Sequence, residues 1–284
     1  MITGGTSGIG QHAAIALARR GEQVVVTGRD QDRGLAGLQS IQRASGSNDV
    51  HLVLGDLARR TDILRVVREL RERFPRIDVL INNAGTFATS AQTTEDGFEL
   101  CFAVNVAAPY AITKLLLPAL EPARFARVLN VTGGRPTNAL DPANLQAEKG
   151  FRGLAAYDNS KRAADAMSLA LARELAPRGV YVNVIYPGRA ATTMTRSVRP
   201  GHLPWWVRPL GPPYMALMRA DRGWSAARAS RSSVWAATAP ELDGQSGTYF
   251  DSNCKPRQLH RTVCDPANQE RVLAAIERVW GALT

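Results

Sequence analysis

Two residues in the second half of the chain, Tyr157 and Lys161, have the types and the spacing to move a proton. Side chains four residues apart share one face of a helix, so the Lys161 ammonium can sit beside the Tyr157 phenol. A neighbouring cation lowers a phenol's pKa from about 10 toward working pH, and the tyrosine can then exchange a proton with a substrate oxygen. Taken alone, a Tyr-x3-Lys pair is far more often ordinary helix surface, so its meaning depends on what accompanies it. Residues 3–10 read Thr-Gly-Gly-Thr-Ser-Gly-Ile-Gly and run into an alanine-rich helical stretch ending near Arg20. Gly4, Gly8 and Gly10 suit a tight turn in which backbone N–H groups and a helix N-terminus come against phosphates. A dinucleotide is the ligand implied, although glycine turns open many helices and this run alone does not separate the two readings.

The elements that must position these residues alternate strand and helix. Gln23 to Thr27 is a continuous apolar run with three valines, as expected of a parallel strand buried on both faces; Leu35, Leu38 and Ile41 follow at helical spacing. Val50 to Leu54 is the next strand, and Ile63, Leu64, Val67 and Leu70 mark the next helix. Further strands are expected at Ile77 to Ile81, Arg127 to Val131, Val180 to Ile185 and Gly247 to Phe250. Helices are expected through Phe98, Phe102 and Leu115, then over Tyr157 to Ala176 and Ser225 to Ala237. This succession predicts one α/β domain over residues 1–284, a doubly wound, Rossmann-type parallel sheet with helices on both faces. Only Met1 and Ile2 precede the glycine turn, so the first strand is truncated or the natural protein begins upstream.

The motifs along this frame resemble one family. Thr3-Gly4-x3-Gly8-x-Gly10, Asp56-Leu57, Asn82-Asn83-Ala84-Gly85, Asn105, Tyr157-x3-Lys161 and Pro187-Gly188 with Thr192 look like the short-chain dehydrogenase/reductases, in that family's order and over almost the whole chain. Asn144-Leu145-Gln146-Ala147-Glu148-Lys149 and Ser246-Gly247-Thr248-Tyr249-Phe250, followed by Cys254-Lys255, are similar to its retinol-dehydrogenase-like branch. The resemblance implies a nicotinamide dinucleotide held by the turn, Thr6, Ser7 and Ile9 included. Asp56, beside Leu57, would accept from the adenine amino group, and Asn83, Ala84 and Gly85 would line the ribose side. Thr192 after Pro187-Gly188 would hold the nicotinamide amide. Tyr157 would be the acid/base, Lys161 would also hold the nicotinamide ribose, and Asn105 would hold a water that relays protons through Lys161.

Cofactor choice turns on the end of the second strand, Thr27-Gly28-Arg29. An acidic residue there would accept from ribose hydroxyls and repel a 2′-phosphate; Gly28 stands in that place, and Arg29 offers a guanidinium that pairs with phosphate. NADP(H) is therefore expected, with Ser7 where many NADP-preferring relatives carry a second basic residue. One departure from the family is sharp: its catalytic serine aligns with Gly133. Thr132 is adjacent, but neighbouring strand residues face opposite ways; Thr137 is a weaker substitute. The loss of one donor to a reacting oxygen costs on the order of 2.7–4 kcal/mol, so the resemblance leaves three readings open. They are an NADP(H)-dependent oxidoreductase acting on an apolar alcohol or carbonyl compound, a non-redox isomerase, dehydratase or cyclase, and a silent nucleotide-binding protein. A lid is expected at about residues 189–224, where Trp205 and Trp206, with Gly133 and Thr132 below, would meet an apolar or polycyclic substrate.

Composition excludes other classes. With 45% hydrophobic residues the chain can bury a large core, and its net charge of +10 comes from arginines spread over every expected helix. A nucleic-acid site would concentrate that charge on one element with interleaved aromatics, which is not seen. No stretch is apolar for the eighteen or so residues of a membrane span. Three widely spaced cysteines, Cys101, Cys254 and Cys264, suggest a reduced, cytoplasmic protein with no metal site. A homodimer or homotetramer is an open expectation.

Overall fold

Val24 and Val26 enter one apolar layer and Val25 the opposite one, the period of two that a strand imposes. The computed structural model, which describes residues 1–188 and 225–283, builds a sheet on this alternation and covers both faces with helices. The strands are β1 (Val24–Gly28), β2 (Val50–Leu54), β3 (Val79–Asn82), β4 (Ala126–Val131), β5 (Val180–Ile185), β6 (Tyr249–Phe250) and β7 (Pro256–Arg257). β2 pairs with β1, and β3 to β7 pair in sequence order; every pairing is parallel except β6 with β7. Ile2 stitches the two groups together. Its amide donates to Val25 O at 2.8 Å, its carbonyl accepts from Thr27 N at 3.0 Å, and the Thr3 amide donates to Ile81 O at 2.9 Å. Ile2 thus bridges Val26 and Ile81, and the glycine turn leaves directly from the middle of the sheet.

The helices are α1 (Gly8–Ala18), α2 (Gln31–Ser45), α3 (Arg60–Arg73), α4 (Leu100–Phe102, continuing through the π segment Ala103–Ala107 into Ala108–Leu115), α5 (Leu117–Leu120), α6 (Gly153–Leu175), α7 (Ala226–Thr238), α8 (Arg261–Cys264) and α9 (Pro266–Trp280). α1, α2 and α7 cover one face of the sheet, where Ile2, Ile81, Leu129 and Ile185 join their core. α3, α4, α6 and α9 cover the other, with Leu80, Val128 and Val182. A polar ladder crosses the second layer. Asn82 Nδ2 donates to Thr113 Oγ1 and Asn130 Oδ1, and Asn130 Nδ2 donates to Ser168 Oγ, which ties α4, β3, β4 and α6 into one register.

The structure departs from the expected pattern in several places. β3 begins at Val79, because the Ile77 amide is drawn to Ala119 O rather than to a strand. α6 starts a turn before Tyr157 and ends at Leu175. Leu35 and Leu64 lie outward, 45% and 42% exposed, while glycine supplies much of the inward face of α2. A Cβ on Gly37 would come 2.5 Å from Thr6 O, so glycine takes the closest approach, while Ile41 is buried and Leu38 packs partly on the same core as the spacing predicts. The antiparallel edge strand β7 and the helices α8 and α9 were not anticipated. α9 is anchored by Tyr110, whose hydroxyl donates to Glu277 Oε1 at 3.1 Å, and by Arg60, which donates to Val279 O and stacks on Trp280. Among the described residues no helix is long and apolar enough to cross a membrane.

Candidate active site

The glycine turn is built as a cradle. Gln11 is the first residue of α1 whose amide is taken up, by Ser7 O at 3.2 Å, which leaves Gly8, Ile9 and Gly10 as helix-terminal donors. Ser7 makes no side-chain cap and the first turn holds no acidic residue, so nothing competes with an anion there. Gly4 has φ +61, and a Cβ on Gly10 would strike Asn83 Nδ2 and lie 2.6 Å from Gly4 O. These features fit the pyrophosphate of a dinucleotide. The strand-end motif at residues 82–85 locks the turn. Asn83 Nδ2 donates to Thr3 O at 3.0 Å and Gly4 O at 3.2 Å, and the Thr3 hydroxyl accepts from the amides of Asn83 and Ala84 at 3.0 Å each. The Asn83 side-chain amide is thereby committed to the turn.

At the end of β1 a second close approach appears. A Cβ on Gly28 would stand 2.9 Å from Thr6 Cγ2, so Thr6 fills the space in which an acidic side chain would begin. Arg29 beside it is exposed and makes no ion pair with a described residue. Asp56 follows β2, keeping one carboxylate oxygen on the Ala58 amide at 3.0 Å, and Leu57 is buried in the core.

β4 and α6 bring the chemistry together. A Cβ on Gly133, at the end of β4, would lie 2.7 Å from Tyr157 Oη and 3.6 Å from Lys161 Cγ. Lys161 Nζ lies 5.9 Å from the centre of the Tyr157 ring and donates to Val131 O at 3.3 Å. A Cβ on Gly85 would be 3.3 Å from both Lys161 Nζ and Asn105 Oδ1, so the loop after β3 meets the lysine and the asparagine directly. Asn105 sits in the π segment of α4, a local dislocation of the helix ladder. Both its amide hydrogens are used, on Thr86 O at 3.0 Å and Ser160 Oγ at 2.9 Å, and its Oδ1 accepts from Thr86 N. Its side chain therefore positions the loop and α6; the expected water would have to be held by its remaining acceptors.

The electrostatics differ from the expectation. The Tyr157 hydroxyl end is crowded, and burial pushes the phenol above its ordinary value; Cys101 and Asp158 act the same way and Arg162 opposes them. Burial pulls Lys161 down to about 8, against the attraction of Asp165. Desolvation thus outweighs the lowering by the Arg162 cation, and the phenol stands above its ordinary value where its spacing from Lys161 implies a lowering. Thr132 is buried and turned to Arg162, not to Tyr157, and Thr137 is exposed.

The family model described as short chain dehydrogenase matches residues 1–202. The chain belongs to the short-chain dehydrogenase family. It is 33% identical to human retinol dehydrogenase 13 over 254 residues, which covers 88% of this chain and 75% of that protein. It is 34% identical to mouse polyprenol dehydrogenase over 295 residues, 99% of this chain and 83% of that protein. Among solved structures, the Pseudomonas aeruginosa RhlG/NADP active-site complex superposes with a TM-score of 0.64 at 27% identity, covering 88% of this chain and 93% of that chain.

For a short-chain dehydrogenase the structure gathers Tyr157, Lys161, Asn105, Gly85 and Gly133 at the C-terminal ends of β3 and β4, with the phosphate turn beside them. Pro187 and Gly188 follow β5 on the same edge, Gly188 with φ +82 against Ser252. Thr192, Trp205, Trp206 and the expected lid lie outside the described residues. Three neighbours were not singled out from sequence. Phe87 meets Tyr157 edge-on with ring centres 5.9 Å apart, Cys101 is a buried thiol pushed up to about 12 by its burial, and Ser160 donates to Tyr157 O at 2.7 Å. Phe87 is the second residue after the Asn-Asn-Ala-Gly run and Ser160 precedes the lysine, so their positions beside the motifs were the available signal.

Proposed function

We propose that this short-chain dehydrogenase is an NADP(H)-dependent oxidoreductase that interconverts an apolar or polycyclic alcohol and its carbonyl compound. The observation that carries the reading is the approach of the Tyr157 hydroxyl to Gly133, with Lys161 and Gly85 alongside and the phosphate turn on the same sheet edge. A bound nicotinamide would supply or take up the hydride. The residues of the chain handle the rest. Tyr157 retains its proton at Oη because its surroundings disfavour the phenolate, so it is poised to donate to the oxygen of a carbonyl undergoing reduction. In the opposite direction Oη must first give up that proton, a loss the positive charge of Lys161 favours, before it can take the proton of the alcohol. Without a hydroxyl at position 133, the reacting oxygen depends more heavily on Tyr157.

Thr6 in the space beside Gly28, together with the uncommitted Arg29, supports a site for a 2′-phosphate rather than for a ribose-binding carboxylate. The relative solved with NADP is in keeping with this choice. Retinol and polyprenol, named in the two relatives, are apolar alcohols, which agrees with the side-chain-free floor at Gly133. The test is steady-state assay of the purified protein with NADPH and NADH against a panel of small, polycyclic and long-chain carbonyl compounds and alcohols. Turnover with NADPH preferred supports the reading. Conversion of a substrate with no net change in nicotinamide points to an isomerase or dehydratase, and tight nucleotide binding without conversion to a silent binding protein.

A further inference from the structure

Behind Gly133 lies a buried ion pair that the chemistry described so far does not use. Arg162 and Asp165 on α6 are both fully buried, with Nη1 2.9 Å from Oδ2. The guanidinium also donates to Arg135 O at 2.9 Å, to the Thr132 hydroxyl at 3.4 Å and to the Gly133 carbonyl. All three acceptors belong to the end of β4 and the turn after it, the segment that carries Gly133 to Tyr157.

Stability is a poor explanation for such a pair. Withdrawing two charges from water offsets their attraction, and well-packed apolar residues in the same space usually do as well. Here the compensation is also incomplete, since Arg162 Nε has no hydrogen-bond partner among the described residues. Burial pushes Asp165 up to about 6 despite the neighbouring cation. What the pair provides is direction. A guanidinium is a planar fork that engages several acceptors at set angles, and here it grips a Gly-Gly backbone, the most freely rotating dipeptide a strand end can carry. Gly133 has no side chain with which to anchor itself beside the phenol, so its place is set from behind.

We propose that Arg162, its charge balanced by Asp165, is a positioning residue for the reaction. It holds the backbone on both sides of Gly134, at the Gly133 and Arg135 carbonyls, and so fixes from behind a strand end that has no side chain of its own beside Tyr157. The proposal rests on the oxidoreductase reading of Tyr157.

The test is Arg162→Met combined with Asp165→Leu, which removes both charges together and leaves neither buried alone. The expected protein is folded and binds NADPH within about twofold of the parent, while kcat falls by about a hundredfold, the scale of an ångström misplacement. Parental kcat in the double variant overturns the proposal, and so does a loss of NADPH affinity or of thermal stability that matches the fall in kcat, which would mark general damage to the core. Should the double variant not fold, Arg162→Lys keeps the charge and gives up the fork; intact NADPH binding with reduced kcat is expected, and unchanged kcat overturns the proposal. A parent protein that turns over nothing defeats the oxidoreductase reading by itself. Crystal structures then decide the positioning role: a Gly133 carbonyl and Tyr157 unmoved in the double variant overturn it, and a displaced strand end upholds it.

Discussion

The Tyr157 hydroxyl occupies the space in which a side chain on Gly133 would begin, with a Cβ placed there only 2.7 Å from Oη. Gly133 is not among the residues of positive φ, so its backbone accepts any residue and the phenol is the obstacle. Gly133→Ala is expected to push the phenol aside with nothing to receive it, costing about 1–3 kcal/mol of stability by overpacking and slowing turnover. Gly133→Ser must displace the phenol too, but it places a donor on the reacting oxygen and should raise the rate on small carbonyl compounds about tenfold. Thermal unfolding and steady-state kinetics of the two variants check this. A folded, NADPH-binding Gly133→Ser protein no faster than the parent would shift the reading toward non-redox chemistry.

Tyr157→Phe is expected to abolish turnover and leave NADPH affinity nearly intact, since the phenol supplies a proton while Lys161 and the glycine turn hold the nucleotide. Lys161→Ala should damage both. Fluorescence titration with NADPH beside rate measurements separates the two effects, and retention of most activity by Tyr157→Phe would assign the proton to another group.

Arg29→Ala should weaken NADPH binding by about 1.5–3 kcal/mol, the worth of a hydrogen bond to a charged group, and change NADH binding little. Titration calorimetry with both nucleotides measures the difference. Equal losses would show that Arg29 does not meet the 2′-phosphate.

Lys161 gives a pH signature in which activity and stability move in opposite directions. Burial lowers its pKa to about 8, so the ammonium is lost as pH rises through that value and kcat/KM should fall with it. Unfolded, the same lysine keeps its proton to about 10.4, so between the two values the unfolded chain binds more protons and folding stability should rise with pH. A pH series of kcat/KM and of chemical denaturation tests both slopes. Lys161→Met should flatten the stability slope in that window.

The sheet, its two helical layers and the places of the phosphate turn, Tyr157 and Lys161 were legible in the chain because each rests on short-range pattern. Strands repeat every two residues, helices about every 3.6, and a glycine turn is a local necessity of close backbone approach. Apolar spacing misled only at Leu35 and Leu64, which lie outward while Ile41, Ile63, Val67 and Leu70 are buried; on α2, Gly34 and Gly37 turn inward, close against Leu52, Leu54 and Thr6.

The sequence by itself determined the family motifs, the glycine at position 133 and the identities of the groups that can move a proton or meet a phosphate. Tertiary structure alone decided what those groups are free to do. Asn83 and Asn105 have amides whose uses depend on residues far along the chain, at Thr3, Gly4, Thr86 and Ser160. The acidity of Tyr157 follows from how much water its hydroxyl has lost, which spacing on a helix does not reveal. Arg162 and Asp165, three residues apart on α6, are fully buried in the fold, and the guanidinium is aimed at Gly133. Local pattern specifies which elements form because backbone geometry is short-range; burial, hydrogen-bond partners and electrostatics are properties of the assembled fold, since they depend on atoms that only folding brings near.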